Sequence, residues 1–132
     1  TVIHSANEAI EAVLAQGHVL VAEDHPVNQK LVTHFLSKLG WTYDLVGNGL
    51  EAVECVRNNT YNLVLMDVQM PKMDGLEATV KIRAFNQQIP IIAITAHALE
   101  NEKIKCLGMG MNDFLSKPFD LAALKKMLLK YS

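Results

Sequence analysis

The sequence alternates short apolar runs with longer segments of helical periodicity, and this alternation restricts the fold more than any other feature. The clearest run covers residues 63–66, which is too short for a helix but long enough for a buried strand. Four more strands are predicted at residues 18–22, 41–46, 91–94 and 113–116. A helix-forming segment follows each strand, so we predict an α/β fold with a parallel sheet covered by helices on both faces.

Helix boundaries are predicted from capping residues. Asn48 with Glu51 and Asp74 with Glu77 match the capping-box pattern, and Asp120 is placed to cap the last helix. The third helix is expected to run to about residue 85, and the fourth to cover residues 98–107. Helical spacing predicts that the first two helices turn these apolar residues toward the sheet: Val27, Leu31, Phe35 and Leu39 in the first, and Leu50, Val53 and Val56 in the second.

The chain has 132 residues and a net charge of −2, which suit a single globular domain without a basic surface for nucleic acid. Residues 1–17 show a weak helical pattern, expected to be a linker or flanking helix, so the domain is placed at residues 18–132. There is no signal peptide, and no apolar run is long enough to span a bilayer. We therefore expect a cytoplasmic domain without membrane contact. The start at Thr1 suggests a piece of a longer polypeptide.

Acidic, hydroxyl or basic residues follow four of the predicted strands. They are Glu23 and Asp24, Asp67, Thr95, and Lys117. The carboxyl ends of parallel strands meet at one edge of a sheet, so these side chains are expected to lie close together. Clustered carboxylates favour a hard divalent cation such as Mg²⁺. An ionised Asp beside Mg²⁺ and a lysine is equipped to attack phosphorus. Taken alone, Asp67 could equally cap a turn before Pro71.

Four stretches together resemble the receiver (response-regulator) domain of two-component phosphorelays: V-L-V-A-E-D-H-P-V-N-Q, L-V-L-M-D-V-Q-M-P-K-M-D-G-L-E-A, P-I-I-A-I-T-A-H-A-L and D-F-L-S-K-P-F. They span about residues 18–131. The resemblance implies a flavodoxin-like (βα)5 fold, a five-stranded parallel sheet with strand order 2-1-3-4-5. The motifs E-D-H-P-V-N-Q and A-I-T-A-H-A-L, in the first and third stretches, resemble those of receivers in hybrid sensor histidine kinases.

The resemblance also implies roles for individual residues. Asp67 would accept the phosphoryl group, Lys117 would contact it and Thr95 would reorient toward it. Mg²⁺ would be bound by Asp24 directly, by Glu23 through a water, by Asp67 and by the backbone carbonyl of Gln69. Phe114 would be the aromatic switch that moves with Thr95. The side chains of Gln69 and His97 would tune the lifetime of the phosphoryl group, in a direction that the sequence does not give.

The resemblance further implies a histidine kinase domain as the phosphohistidine donor, and a histidine phosphotransfer domain as a possible further partner. None of His4, His18 and His34 lies in a donor pattern, so the donor is expected in another domain or protein. The parent chain would be a hybrid histidine kinase, which can be membrane-anchored with this domain on the cytoplasmic side. The domain would catalyse its own phosphorylation and dephosphorylation, which leaves its status as an enzyme open.

Four other functions remain to be weighed. The domain could be a stand-alone single-domain response regulator, or a docking module that is never phosphorylated. A phosphatase resembling the haloacid dehalogenase group would need a second acid two residues after Asp67, where Gln69 stands. A flavodoxin would need a phosphate-binding loop rich in Ser, Thr and Gly after the first strand, and the sequence there is E-D-H-P.

Overall fold

The computed structural model describes residues 17–96 and 99–131. The predicted flanking helix, apart from Gly17, and His97 lie outside the described residues. Five parallel strands form one sheet in the order β2-β1-β3-β4-β5, as the resemblance implied. The strands are β1 (His18–Ala22), β2 (Thr42–Val46), β3 (Leu63–Asp67), β4 (Ile91–Thr95) and β5 (Asp113–Ser116). The helices are α1 (Pro26–Lys38), α2 (Gly49–Asn58), α3 (Gly75–Arg83), α4 (Glu100–Gly108) and α5 (Leu121–Tyr131).

The register of the sheet aligns the carboxyl ends of its strands. Ala22 of β1 pairs with Met66 of β3, and the next residue, Asp67, pairs with Ile94 of β4. Thr95 at the end of β4 pairs with Ser116 of β5. The polar residues that end β3 and β4 and those that follow β1 and β5 therefore emerge at the same edge of the sheet.

The core consists of two apolar layers, one on each face of the sheet. Helices α2, α3 and α4 cover one face, and α1 and α5 cover the other. Strands β3 and β4 are buried at every position, which explains why their sequences are continuous apolar runs rather than alternating patterns. None of the helices in the described ranges is long and apolar enough to cross a membrane.

The helix starts confirm the predicted caps. The side chains of Asn48, Asp74 and Asp120 each accept a hydrogen bond from the backbone N–H three residues later, at 2.9, 2.8 and 2.8 Å. These bonds satisfy donors that the first turn of a helix leaves unpaired. Helix α3 ends at Arg83 rather than near residue 85, and β2 begins one residue after the buried Trp41.

The prediction for the buried faces of the first two helices was partly wrong. Val27 and Leu31 are 66% and 38% exposed. Helix α1 instead buries Val32 and Leu36, each one position after a predicted residue. Leu50 of α2 is 49% exposed. In α2 the small residue Ala52 lies in the buried stripe with Val53 and Val56, so a prediction based on the largest apolar residues misplaced the edge of that stripe.

Candidate functional site

An open cleft of about 440 Å³ lies at the carboxyl edge of the sheet. Its lining includes every strand-end residue predicted to meet there: Glu23, Asp24, Asp67, Thr95 and Lys117. Asp67 and Glu23 are almost fully buried, while Asp24 is exposed to solvent. The structure therefore brings together side chains that are separated by up to 94 residues in the chain.

Lys117 connects two of the buried carboxylates. Its Nζ donates to Glu23 Oε1 at 2.8 Å and to Asp67 Oδ2 at 2.9 Å. Burial alone would lower the pKa of Lys117, but the hydrogen bonds and charges of Glu23 and Asp67 outweigh it and raise the pKa above its ordinary value. The lysine is therefore charged at neutral pH and fixed against the Asp67 carboxylate.

The loop after β3 holds Asp67 from its other side. The backbone N–H of Gln69 donates to Asp67 Oδ1 at 3.1 Å, and the N–H of Val68 donates to the Ile94 carbonyl at 3.1 Å. The N–H of Gly75, at the start of α3, donates to the Val68 carbonyl at 2.9 Å. Both carboxylate oxygens of Asp67 thus accept a hydrogen bond, and the backbone around Asp67 is tied to β4 and α3.

Sequence reasoning missed a residue that positions Glu23. The Gln29 side chain donates from Nε2 to the Glu23 carbonyl at 2.6 Å, and the backbone N–H of His25 donates to Glu23 Oε2 at 3.1 Å. An amide side chain in the first turn of a helix, directly after an acidic loop, was the available signal. His25 Nδ1 accepts from the Val27 N–H at 3.2 Å and caps α1.

A carboxylate cluster in this cleft has the geometry of a metal site. One oxygen from each of Glu23, Asp24 and Asp67 lies within 4.8 Å of the other two. The donors are all oxygen, which suits a hard divalent cation, and the single ammonium of Lys117 offsets only part of the negative charge. These residues can therefore hold a metal ion.

The two predicted switch residues both contact helix α4. Thr95 is buried, and its hydroxyl donates to Glu102 Oε2 at 3.4 Å. Phe114 is half-buried against the core layer beneath α2, α3 and α4, and Lys103 Nζ lies 4.4 Å from its ring centroid. The side chain of Gln69 is exposed at the mouth of the cleft. Pro118 follows Lys117 through a cis peptide bond.

A second, apolar cleft of about 280 Å³ adjoins the first. It lies between α1 and the loop after β5, and Glu23, Asn28 and Lys117 line both clefts. Its remaining lining is apolar: Leu31, Val32, Ile94, Pro118 and Phe119. The carboxyl edge of the sheet is therefore continuous with an apolar surface that includes part of α1.

The described residues thus form a parallel α/β domain with an acidic cluster, a lysine and a threonine at the carboxyl edge of its sheet. Residues 19–129 match the family described as the response regulator receiver domain, and the chain belongs to that family.

Proteins of known role resemble the chain closely. It is 40% identical over 125 residues, 85% of its length, to hybrid signal transduction histidine kinase B of Dictyostelium discoideum, of which it covers 6%. Among curated relatives it spans between 6% and 18% of their length.

Two solved structures are also similar. One is the receiver domain of the sensor histidine kinase PA1611 from Pseudomonas aeruginosa PAO1, which was crystallised with a magnesium ion coordinated in its active site cleft. It matches with a TM-score of 0.82 and 41% identity, over 87% of this chain and 96% of that one. The receiver domain of Ssk1 from Saccharomyces cerevisiae, in complex with the histidine phosphotransfer signaling protein Ypd1, matches with TM-score 0.82 and 36% identity over 86% and 87%.

Proposed function

We propose that this receiver domain accepts a phosphoryl group from a phosphohistidine onto Asp67 and relays the signal through a change of conformation. The observation that carries the proposal is the placement of Lys117 Nζ, 2.9 Å from Asp67 Oδ2 and 2.8 Å from Glu23 Oε1, within a cleft that also contains Asp24. A nucleophilic carboxylate, a fixed cation and further acidic ligands are the groups that phosphoryl transfer to an aspartate requires.

In the proposed reaction an oxygen of the Asp67 carboxylate forms a bond to phosphorus. The P–N bond of the phosphohistidine breaks at the same phosphorus, and its electron pair returns to the imidazole nitrogen of the donor. Lys117, already charged and close to Asp67, stabilises negative charge on the transferred oxygens. The Thr95 hydroxyl donates a hydrogen bond to one of those oxygens once the phosphoryl group is in place.

We further propose that the bound metal is Mg²⁺, held by Asp24, Asp67, the backbone carbonyl of Gln69 and, through water, Glu23. When bound, Mg²⁺ would neutralise charge on the phosphoryl oxygens. The all-oxygen donor set of the cluster and the magnesium ion in the similar receiver of PA1611 support this assignment. The side chains of Gln69 and His97 would tune the lifetime of the phosphoryl group, since they follow Asp67 and Thr95 by two residues.

The proposed partner is a histidine kinase domain or a histidine phosphotransfer protein. The apolar cleft beside the reactive site, together with the exposed side chains of Val27 and Leu31 on α1, offers it a surface to dock on. The similar Ssk1 receiver binds such a protein. We propose a hybrid histidine kinase as the parent chain, with this domain in the cytoplasm, because one curated relative is named a hybrid signal transduction histidine kinase and another a sensor histidine kinase.

The test is to incubate the protein with Mg²⁺ and acetyl phosphate and to follow its intact mass. We expect a gain of one phosphoryl group that decays on standing and that disappears with a chelator. Asp67→Asn should abolish the gain, and Asp24→Asn should reduce it strongly. Asp74→Asn is the matched control, because Asn caps a helix as well as Asp does and Asp74 lies outside the carboxylate cluster.

A protein that acquires no phosphoryl group would next be tested for beryllofluoride binding in the presence of Mg²⁺. Binding there would show a working site that uses small-molecule donors poorly. If wild-type protein takes up neither phosphoryl group nor beryllofluoride, the proposed chemistry is wrong and the domain acts as a docking module.

A further inference from the structure

Two consecutive residues of α4 contact the two residues that are proposed to move on phosphorylation. Glu102 Oε2 accepts a hydrogen bond from the Thr95 hydroxyl at 3.4 Å. Lys103 Nζ lies 4.4 Å from the centroid of the Phe114 ring. Thr95 ends β4, and Phe114 lies in the neighbouring β5, where it pairs with Ala93, so this short segment of α4 contacts two adjacent strands of the sheet.

The contact between Thr95 and Glu102 competes with the proposed contact between Thr95 and a phosphoryl group. A threonine hydroxyl has one proton and can donate it fully to only one acceptor at a time. At 3.4 Å the bond to Glu102 is long, so it is weak enough to be exchanged for a shorter bond to a charged phosphoryl oxygen. Glu102 therefore holds the hydroxyl in the arrangement that a phosphoryl group on Asp67 has to replace.

The contact between Lys103 and Phe114 likewise favours the unphosphorylated position of Phe114. An ammonium above an aromatic ring is attracted to the ring face, and the attraction depends on their relative position. Phe114 is half-buried between this ammonium and the core layer beneath α2, α3 and α4. A movement of the ring further inward would break the contact with Lys103.

We propose that Glu102 and Lys103 are positioning residues that form an α4 latch, which stabilises the unphosphorylated arrangement of Thr95 and Phe114. The latch rests on the proposed phosphorylation of Asp67 and specifies how that site is regulated. A contact made only in the unphosphorylated state lowers the affinity of the site for a phosphoryl group by the free energy of that contact. By linkage, phosphorylation weakens the hold of α4 on β4 and β5 by the same amount.

The latch is tested by measuring the affinity for beryllofluoride in excess Mg²⁺, with NMR amide shifts of Thr95 and Phe114 as the structural readout. Glu102→Ala should bind about fivefold more tightly than wild type, at the low end of allosteric couplings because the bond is long. Glu102→Gln retains an acceptor oxygen and should lie between the two. Lys103→Ala should tighten binding about twofold, as expected for a partly exposed contact between a cation and a ring.

Matched variants on the same helix separate the latch from general effects of α4. Glu100→Ala removes an acidic residue from the same first turn and should leave the affinity unchanged. A double-mutant cycle with Thr95→Val adds a readout that a merely structural role would not move. If Glu102 acts through the hydroxyl, Glu102→Ala should have no effect in the Thr95→Val background.

The outcomes separate the latch from the function beneath it. If wild-type protein binds beryllofluoride, and Glu102→Ala and Glu100→Ala bind it with the same affinity, the latch is wrong. The proposed phosphorylation would still stand. An equal gain in affinity for Glu102→Ala with and without the Thr95 hydroxyl would also overturn it. Failure of wild type to bind at all would overturn both proposals.

Discussion

Replacement of Gly75 by alanine should destabilise the protein and disturb Asp67 at the same time. Gly75 is the first residue of α3, and its N–H donates to the Val68 carbonyl at 2.9 Å. A Cβ atom added at Gly75 would overlap the backbone carbonyl oxygen of Asp67 and come within 2.9 Å of Met66 Cγ. Because the overlapped atom belongs to the backbone of a buried strand, rotation of a side chain cannot relieve the clash.

The size of the effect follows from two opposing contributions. Overpacking a core site typically costs about 1–3 kcal/mol, and a clash with backbone belongs at the upper end of that range. Alanine regains up to ~1 kcal/mol through its higher helix propensity. We therefore expect the free energy of unfolding of Gly75→Ala to fall by about 2 kcal/mol. With a urea m-value of about 2 kcal/mol/M, the unfolding midpoint should fall by about 1 M.

Urea unfolding followed by circular dichroism measures this shift, and acetyl phosphate labelling measures the disturbance of Asp67. Gly108→Ala is the control, because among the described residues a Cβ added there meets no atom within 4 Å apart from its chain neighbours and the backbone of its own helix. Its midpoint should be unchanged or slightly higher. If Gly75→Ala unfolds at the same urea concentration as Gly108→Ala and is phosphorylated at the wild-type rate, the argument from close packing around Asp67 is wrong.

Three further predictions concern regions away from the reactive site. Arg83 donates three hydrogen bonds, at 2.8–3.0 Å, that connect the end of α3 to the loops beside it. Arg83→Met should therefore lower the free energy of unfolding in urea by about 2–3 kcal/mol. A loss below that of Lys81→Met, at an exposed position of the same helix, would contradict this. Burial alone would raise the pKa of Asp113, but hydrogen bonds, the largest from Lys130, lower it below its ordinary value. The stability that the Asp113 carboxylate contributes is therefore present above its unfolded-state pKa and is lost as pH falls through the lower folded-state pKa. The difference in unfolding free energy between wild type and Asp113→Asn should shrink as the pH falls from about 5 to about 2, and a difference that stays constant would refute this. Burial raises the pKa of the Cys106 thiol, so a thiol reagent should label it only after unfolding, and rapid labelling of Cys106 in the native protein would disprove its burial.

Local patterns in the sequence were sufficient for the elements and for the approximate place of the site. Asn48, Asp74 and Asp120 cap the helices that their spacing predicted, because a cap depends only on the next three residues. Asp67, Thr95 and Lys117 meet in one cleft because the ends of parallel strands share an edge. The strand order followed from family resemblance, since periodicity within single strands does not say which strands are neighbours.

The sequence thus determined the α/β class, the strands and the acidic edge, because those depend on residues close together in the chain and on a general rule of parallel sheets. Only the tertiary structure decided that α1 buries Val32 and Leu36 rather than Val27 and Leu31, since the rotation of a helix depends on the surface beneath it. It also decided the partners of Lys117 and Thr95. Those contacts depend on the distance and angle between separate elements, which no single segment of sequence contains.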